Sequence, residues 1–283
     1  KLHDSAVAAK VKIVHSCGFD SIPSDLGVFM LQNEAIKELG KPLNSVRLYV
    51  KKIKGGVSGG TIASMLGLIV KAKDKFIGKI LKNPYSLYPK EVPPGPKQPD
   101  LKKIEWDETY QRWIGPFIMS RFNSAIVRRT NALMKFTYGK DFIYDEVTTY
   151  PKVPFSRIKA EINRIGLGII IFCFYFRFPR WILKNTLLPK PGEGPSEKAR
   201  VNGYFILDLI GTEKNKNFKV NISCKSDPGY SGTALMIAES ALCLALDMDI
   251  LPQNHGILTP ATAMGKTLIK RLTKAGMKFK FSN

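Results

Sequence analysis

The 283 residues include 44 Lys and Arg against 23 Asp and Glu, a net charge of +21, with 44% hydrophobic residues. That hydrophobic fraction excludes a disordered chain despite the charge, and no G-x-y, heptad or longer repeat is present to indicate collagen, coiled coil or solenoid. Cys17, Cys173, Cys224 and Cys243 are widely spaced with no CxxC pair, so reduced intracellular thiols are expected rather than a disulfide framework, and no metal site is expected.

Leu2–Lys10 reads as the end of a helix and Val11–Ser16 as a short buried strand. Cys17–Gly27 (CGFDSIPSDLG) follows as a strand-to-helix turn, with Ser21 or Ser24 as the cap of a helix that stops at Gly40. Ser45–Ile53 alternates and predicts a half-buried strand with Val46, Leu48 and Val50 inward. Gly55–Thr61 (GGVSGGT) is a flexible loop. It opens one helix carrying Ile62, Met65, Leu66, Ile69, Phe76, Ile77 and Ile80, opposite Lys71, Lys75, Lys79 and Lys82. Six prolines between Asn83 and Asp100 enforce an extended loop. Trp106–Phe122 is aromatic but aperiodic and receives no assignment. Ser124–Lys135 predicts a helix and Asp141–Tyr150 a strand.

Ile165–Leu183 (IGLGIIIFCFYFRFPRWIL) holds twelve uncharged residues before Arg177. As a helix these span about 18 Å, too short for a bilayer core of about 30 Å. Arg164 before the run, and Arg177, Arg180, Lys184 and Trp181 after it, describe a plug that dips into one leaflet, while a buried core helix or a dimer contact fits the same pattern. The turn-rich connector KPGEGPSEK leads to alternating runs Asn202–Gly211 and Asn217–Ser226, a hairpin joined by TEKNKN. Gly232–Leu246 is an apolar helix. Thr259 caps a last helix with Pro260 in its first turn, ending at Gly276 before a strand-like MKFKF.

The charge excess concentrates in three segments, +7 each in 51–100 and 151–200 and +6 in the last 33 residues. Solvated helix faces, anionic lipid and nucleic acid all attract such charge. Nucleic acid is set aside because aromatic and basic residues do not interleave on any strand.

In open α/β sheets ligands sit beyond the carboxyl ends of strands, which directs attention to Gly18–Ser24; Asp20, Ser21 and Ser24 also serve as ordinary caps and turn formers. GGVSGG is neither a P-loop nor GxGxxG after a buried strand. His15 and Cys17 read as a buried polar residue beside a buried thiol. No Ser-His-Asp order or carboxylate pair stands out, and the catalytic residues remain unassigned.

Six segments occur in a specific order: CGFDSIPSDLG, GGVSGGT, IVRRT (Ile126–Thr130), PGEGPSEKAR (Pro191–Arg200), GYSGTALMIAESALCLALD (Gly229–Asp247) and GILTPATAMGKTLIKRLTKAGMKF (Gly256–Phe279). Across essentially the whole chain they resemble the saccharopine dehydrogenase-like oxidoreductases, a group that includes the trans-acting enoyl reductases. The resemblance implies an α/β fold: a remnant of a Rossmann domain (one βα unit and a C-terminal helix) plus an α+β second domain with a mostly antiparallel sheet. Residues 1–40 would end the Rossmann-type domain, 41–254 would form the second domain with its membrane-associated segment 165–183, and 255–283 would return to the Rossmann side. The family's glycine fingerprint is absent, so the chain is expected to be truncated and to bind NAD or NADP poorly by itself.

The same resemblance implies hydride transfer between NAD(P) and a lipid-linked carbonyl or enoyl group at a membrane or lipid-droplet surface; a non-catalytic scaffold there is the alternative. By carry-over, Gly18, Phe19, Asp20 and Ser21 would line the nicotinamide end of a cleft, and Gly59, Gly60 and Thr61 its substrate side. Ile169, Ile170, Phe172, Phe174, Phe176 and Trp181 would contact lipid. A peripheral intracellular location is expected, with the mitochondrion left open, and the hairpin suggests a sheet-mediated homodimer.

Overall fold

A computed structural model describes residues 2–56, 58–186, 188–190, 192–214 and 216–283. Lys1, Val57, Leu187, Pro191, Asn215 and the side chain of Lys184, which fall in segments assigned above, lie outside the described residues.

Helix α1 (His3–Ala8) precedes strand β1 (Lys12–Val14) and helix α2 (Ile22–Leu39). Ser21 holds the N-cap position of α2 without a side-chain cap bond, and Gly40 ends the helix at φ +70°, a left-handed position suited to glycine. After β2 (Ser45–Lys54), the expected single helix is two, α3 (Gly59–Lys71) and α4 (Lys75–Lys82). The break is a capping event: the Asp74 carboxylate accepts from the amides of Phe76 (2.9 Å) and Ile77 (3.0 Å) and so starts a new helix. The unassigned aromatic stretch yields β3 (Glu105–Asp107) and β4 (Arg112–Pro116), strands too short to display a period. Next come α5 (Ser120–Leu133), β5 (Ile143–Tyr150), α6 (Ser156–Tyr175), α7 (Arg177–Thr186) and α8 (Glu197–Val201). The hairpin β6 (Tyr204–Glu213) and β7 (Lys216–Cys224) leads to α9 (Ser231–Leu246), β8 (Gly256–Leu258), α10 (Pro260–Ala263), α11 (Gly265–Lys274) and β9 (Lys278–Ser282). The expected last helix thus divides at Gly265, whose φ of +44° no regular helix accommodates.

Seven strands form one sheet in the order β3-β4-β5-β2-β6-β7-β9, in which only the β2–β5 pair is parallel. The fold is mixed α/β with a mostly antiparallel sheet, as expected. On one face Val46, Leu48, Phe205, Leu209, Val220 and Ile222 meet α2 in a core that runs from Ile22 to Met277, so residues 1–40, 41–254 and 255–283 all contribute to it. Gly27 sets the approach: a Cβ there would sit 2.8 Å from both Ile222 and Leu209. On the other face Tyr49 stacks on Tyr110 (4.3 Å), and Arg47 binds Asp145 (2.9 Å) and Asp107 (2.8 Å). The predicted hairpin is central: β2 pairs with β6 and β9 with β7, so neither strand keeps a free edge for the dimer it suggested.

β1 and β8 form a separate two-stranded parallel sheet. β1 was expected to be buried, yet Ile13 and His15 are exposed, because a strand with one neighbour and no layer over its other side remains open. The reading of His15 and Cys17 as buried is therefore corrected: His15 reaches solvent and Cys17 is half-buried.

Helices α6 and α7 meet at 108°, and among the described residues no single helix is long and apolar enough to cross a membrane. The break falls at Phe176, and Pro179 occupies the first turn of α7, where its missing N–H costs no bond. Ile169, Ile170, Phe172, Phe176 and Trp181 are all exposed. Phe174 is not, at 2% against 57% for Phe172, because two residues along a helix turn a side chain to the opposite face. Phe174 anchors α6 from within and cannot contact lipid in this conformation.

Candidate functional site

β1 ends against a bend. Ser16 adopts φ +60°, a left-handed conformation costly for a non-glycine residue, and turns the chain toward a cavity of 840 Å³. Ser16, Asp20 and Ser21 form the polar end of this cavity, while Met65, Leu68 and Ile69 of α3, Leu81 of α4 and Phe122 of α5 supply apolar walls. Asp20, although it reaches solvent, is crowded enough that desolvation raises its carboxyl above the ordinary range. Of the residues singled out in the sequence, Asp20 and Ser21 meet Gly60 and Thr61 around this one space.

The other three act as anchors beside it. The Gly18 Cα packs against Thr233, where a Cβ would sit 2.9 Å from the threonine methyl, and the Phe19 amide donates to Thr233 Oγ1 at 3.1 Å. The Phe19 ring packs on Phe205 (4.9 Å). The Gly59 amide donates to the Glu193 carbonyl at 2.9 Å, and a Cβ on Gly59 would overlap the Lys190 carbonyl. Gly59→Ala must therefore displace the backbone at Pro189 and Lys190, at an expected cost of about 2 kcal/mol in thermal unfolding. Gly60→Ala, with open space around its Cα inside α3, should instead be neutral or raise stability by up to about 1 kcal/mol. The part played by α4 and by the start of α5 was missed. The available signal was Phe122, Ala125 and Ile126, spaced as one helical face.

Behind the cavity lies a buried polar layer. Asp25 is fully buried and accepts from the Thr130 hydroxyl and from the Ala261 amide (2.8 Å), while Thr130 and Thr259 share a hydrogen bond of 2.6 Å. Burial pushes the Asp25 carboxyl up to about 7, against these hydrogen bonds, which favour the anion. Glu146 on β5 is likewise pushed up to about 7 by burial; it accepts from Asn123 Nδ2 and the Tyr144 hydroxyl, both at 2.8 Å. Asn123 in turn accepts from Ser21 at 3.5 Å, which links this layer to the cavity's polar end.

These bonds explain why the six segments share one chain. Asp25 of the first binds Thr130 of the third and Ala261 of the last; Phe19 of the first binds Thr233 of the fifth; Gly59 of the second binds Glu193 of the fourth.

The geometry offers hydroxyl donors and a carboxyl at one end of an apolar space, suited to holding a carbonyl at the end of a hydrocarbon. It fits the carboxamide end of a nicotinamide, since Ser16, Asp20 and Ser21 supply both donors and an acceptor beyond the carboxyl end of a parallel strand. It does not supply a pyrophosphate cradle among the described residues: Gly18 is the one glycine of the β1–α2 turn, and Thr233 fills the space beside it. Among the described residues no cluster of His, Cys, Asp and Glu could hold a metal ion.

No model of a known protein family matches the chain. It is similar to individual proteins over nearly all its length. A Mycobacterium tuberculosis (strain H37Rv) protein provisionally named a trans-acting enoyl reductase is 38% identical over 288 residues, covering 97% of this chain and 68% of that protein. The trans-acting enoyl reductases of Mycobacterium tuberculosis H37Rv and Mycobacterium leprae are 33% and 32% identical over 290 residues, with the same coverage. The chain belongs to the family of the trans-acting enoyl reductases.

Proposed function

We propose that this protein serves in the NAD(P)-dependent reduction of an enoyl group on a lipid-linked acyl chain, as a saccharopine dehydrogenase-like oxidoreductase working at a lipid surface. The observation that carries this reading is the 840 Å³ cavity, which combines apolar walls from α3, α4 and α5 with Ser16, Asp20 and Ser21 and a further polar rim that includes Lys82 and Arg121. Family membership supports the reaction type, and the ordered segments support the wider grouping. A nicotinamide cofactor, when bound, supplies a hydride. With the carboxamide held at Ser16, Asp20 and Ser21, the Thr61 and Ser64 hydroxyls of α3 would donate hydrogen bonds to the acyl carbonyl as charge accumulates on its oxygen. Met65, Leu68 and Phe122 would hold the chain and keep water from it.

The test is consumption of NADPH or NADH, followed by absorbance, with an α,β-unsaturated long-chain acyl thioester. Turnover that falls at least tenfold in Ser21→Ala supports the reading. Absence of both cofactor binding and turnover at millimolar cofactor would overturn it.

The lipid-surface part rests on the bent α6–α7 pair, whose exposed Ile169, Phe172, Phe176 and Trp181 lie close to Arg177 and Arg180. Phe172→Asp combined with Trp181→Asp should abolish co-flotation with anionic vesicles while leaving thermal stability unchanged, since both side chains are solvated. Unchanged flotation would sink this part alone. Vesicle binding without any turnover would favour the scaffold.

A further inference from the structure

Helix α5 is a wall between two cavities. Phe122, Ala125 and Ile126 face the apolar one, whereas Arg121, Ser124 and Arg128, three and seven residues apart, line a second cavity of 400 Å³. Its other walls come from β5, which brings Asp145 and Glu146, and from the proline-rich loop around Tyr85 and Gln98. Lys82, Pro84 and Arg121 border both cavities.

Two independent features mark the second cavity as a place for an anion. Ser124 is 1% and Arg128 6% exposed, yet Ser124 Oγ and Arg128 Nε have no hydrogen-bond partner among the described residues, a rare condition in a native interior. The remaining guanidinium nitrogens of Arg128 donate to the carbonyls of Pro84 (3.1 Å) and Tyr144 (3.4 Å), which fixes its plane. In addition, the 14-residue α5 begins here: Ser120 and Arg121 line the cavity, the first turn contains no acidic residue, and Met119 at the N-cap offers no side-chain acceptor. No acidic side chain of the helix itself thus offsets the positive end of its dipole. The carboxylates nearby are engaged elsewhere: Asp145 with Arg47 (2.9 Å), Asp100 with Lys102 (3.2 Å), and Glu146 with Asn123 and Tyr144.

We propose that this cavity binds the phosphate group of a phosphate ester whose apolar portion extends past Arg121 and Lys82 into the neighbouring apolar cavity. Arg128 and Ser124 on the α5 face and Arg121, Lys82 and Lys97 at the rim place cationic and hydroxyl donors around one space, and guanidinium groups suit phosphate recognition. The site stands on its own geometry, and only the identity of the apolar portion rests on the enoyl-reduction reading.

Calorimetry on the whole chain tests it with inorganic phosphate, decyl phosphate below its micellar concentration, and decanol. Decyl phosphate should bind at least tenfold more tightly than decanol and be displaced by inorganic phosphate. Arg121→Glu should weaken both phosphates about tenfold or more. Ser124→Ala should weaken them severalfold yet leave decanol binding and thermal stability unchanged, since it removes a hydroxyl that bonds nothing in the protein. Equal affinity for decyl phosphate and decanol, or phosphate affinities unchanged in both variants, overturns the proposal. Displacement of decyl phosphate by NADP⁺ but not by NAD⁺ would identify the phosphate as the dinucleotide's, and displacement by neither would make it the substrate's; either result keeps the site. Retained phosphate binding in a chain without turnover would reject the enoyl reduction and spare the site.

Discussion

Replacing Asp25 with alanine should cost about 3–5 kcal/mol, which lowers the midpoint of thermal unfolding by roughly 10 °C in a chain of this size. The carboxyl is fully buried and pins three elements: α2 carries it, Thr130 on α5 donates to it, and the Ala261 amide of α10 donates at 2.8 Å. Alanine strands both donors and leaves a void in a fully buried position. Asparagine keeps an acceptor for Ala261 and should cost less than half as much. It also removes a titration. Native Asp25 holds its proton to about pH 7, while the unfolded chain releases it near 4, so between these values the native state carries the extra proton. Stability from this group is therefore complete below about pH 4 and declines as pH rises toward 7, by up to about 1.4 kcal/mol per pH unit within that window. Glu146, also raised to about 7, adds a decline of the same sign. Unfolding midpoints measured across this range should fall with pH, less steeply in Asp25→Asn and less again with Glu146→Gln added. A slope identical to the parent's would show that Asp25 titrates normally.

Arg47→Met should be comparably severe, about 3–5 kcal/mol by chemical denaturation, though Arg47 itself is half-buried. Its guanidinium bridges Asp145 (2.9 Å) and Asp107 (2.8 Å), two carboxylates almost shut off from solvent, and Asp107 also accepts from Tyr49 at 3.1 Å. Burial opposes the charge on Arg47, but Asp145 and Asp107 outweigh it and hold the guanidinium protonated. Removal of the cation leaves two buried anions facing each other across β3 and β5. The distinguishing measurement is the double variant Arg47→Met with Asp145→Leu, expected to be more stable than Arg47→Met alone because it removes one stranded charge. Additive losses would mean that the three groups are not coupled. Lysine at 47 should recover only part of the loss, since an ammonium cannot reach both carboxylates in the forked manner of Arg47.

The strands with strict alternation, Val46-Leu48-Val50 and Phe205-Leu207-Leu209, were legible because one face meets α2 across a core that tolerates no polar side chain. β3 and β4 were not, because three and five residues give at most two repeats of the alternation, and Trp106 and Trp113 pack on each other at the sheet's end rather than in the main core. The division of α3 from α4 turned on Asp74 alone, a capping signal outvoted by the apolar spacing on either side. At the candidate site, Asp20, Ser21, Gly60 and Thr61 were found through their segments, whereas the separation of Gly18, Phe19 and Gly59 as anchors depends on Thr233, Phe205 and Lys190, which sequence spacing does not relate to them. Asp25 and Glu146 were invisible as a class: nothing local marks a carboxyl that the fold will bury among threonines, asparagine and tyrosine.

β1 has one strand neighbour, β8, along a three-residue ladder, whereas β6 lies between β2 and β7. Subglobal opening should follow that difference, with amide protons around Ile13 exchanging with deuterium well before those of Leu207 and Leu209. Because Ser16 directly follows β1, its side of the cavity should loosen at lower free energy than the α2 scaffold that holds Ser21. A molecule seated there would slow exchange at β1 first, which makes this short ladder a sensitive reporter of occupancy.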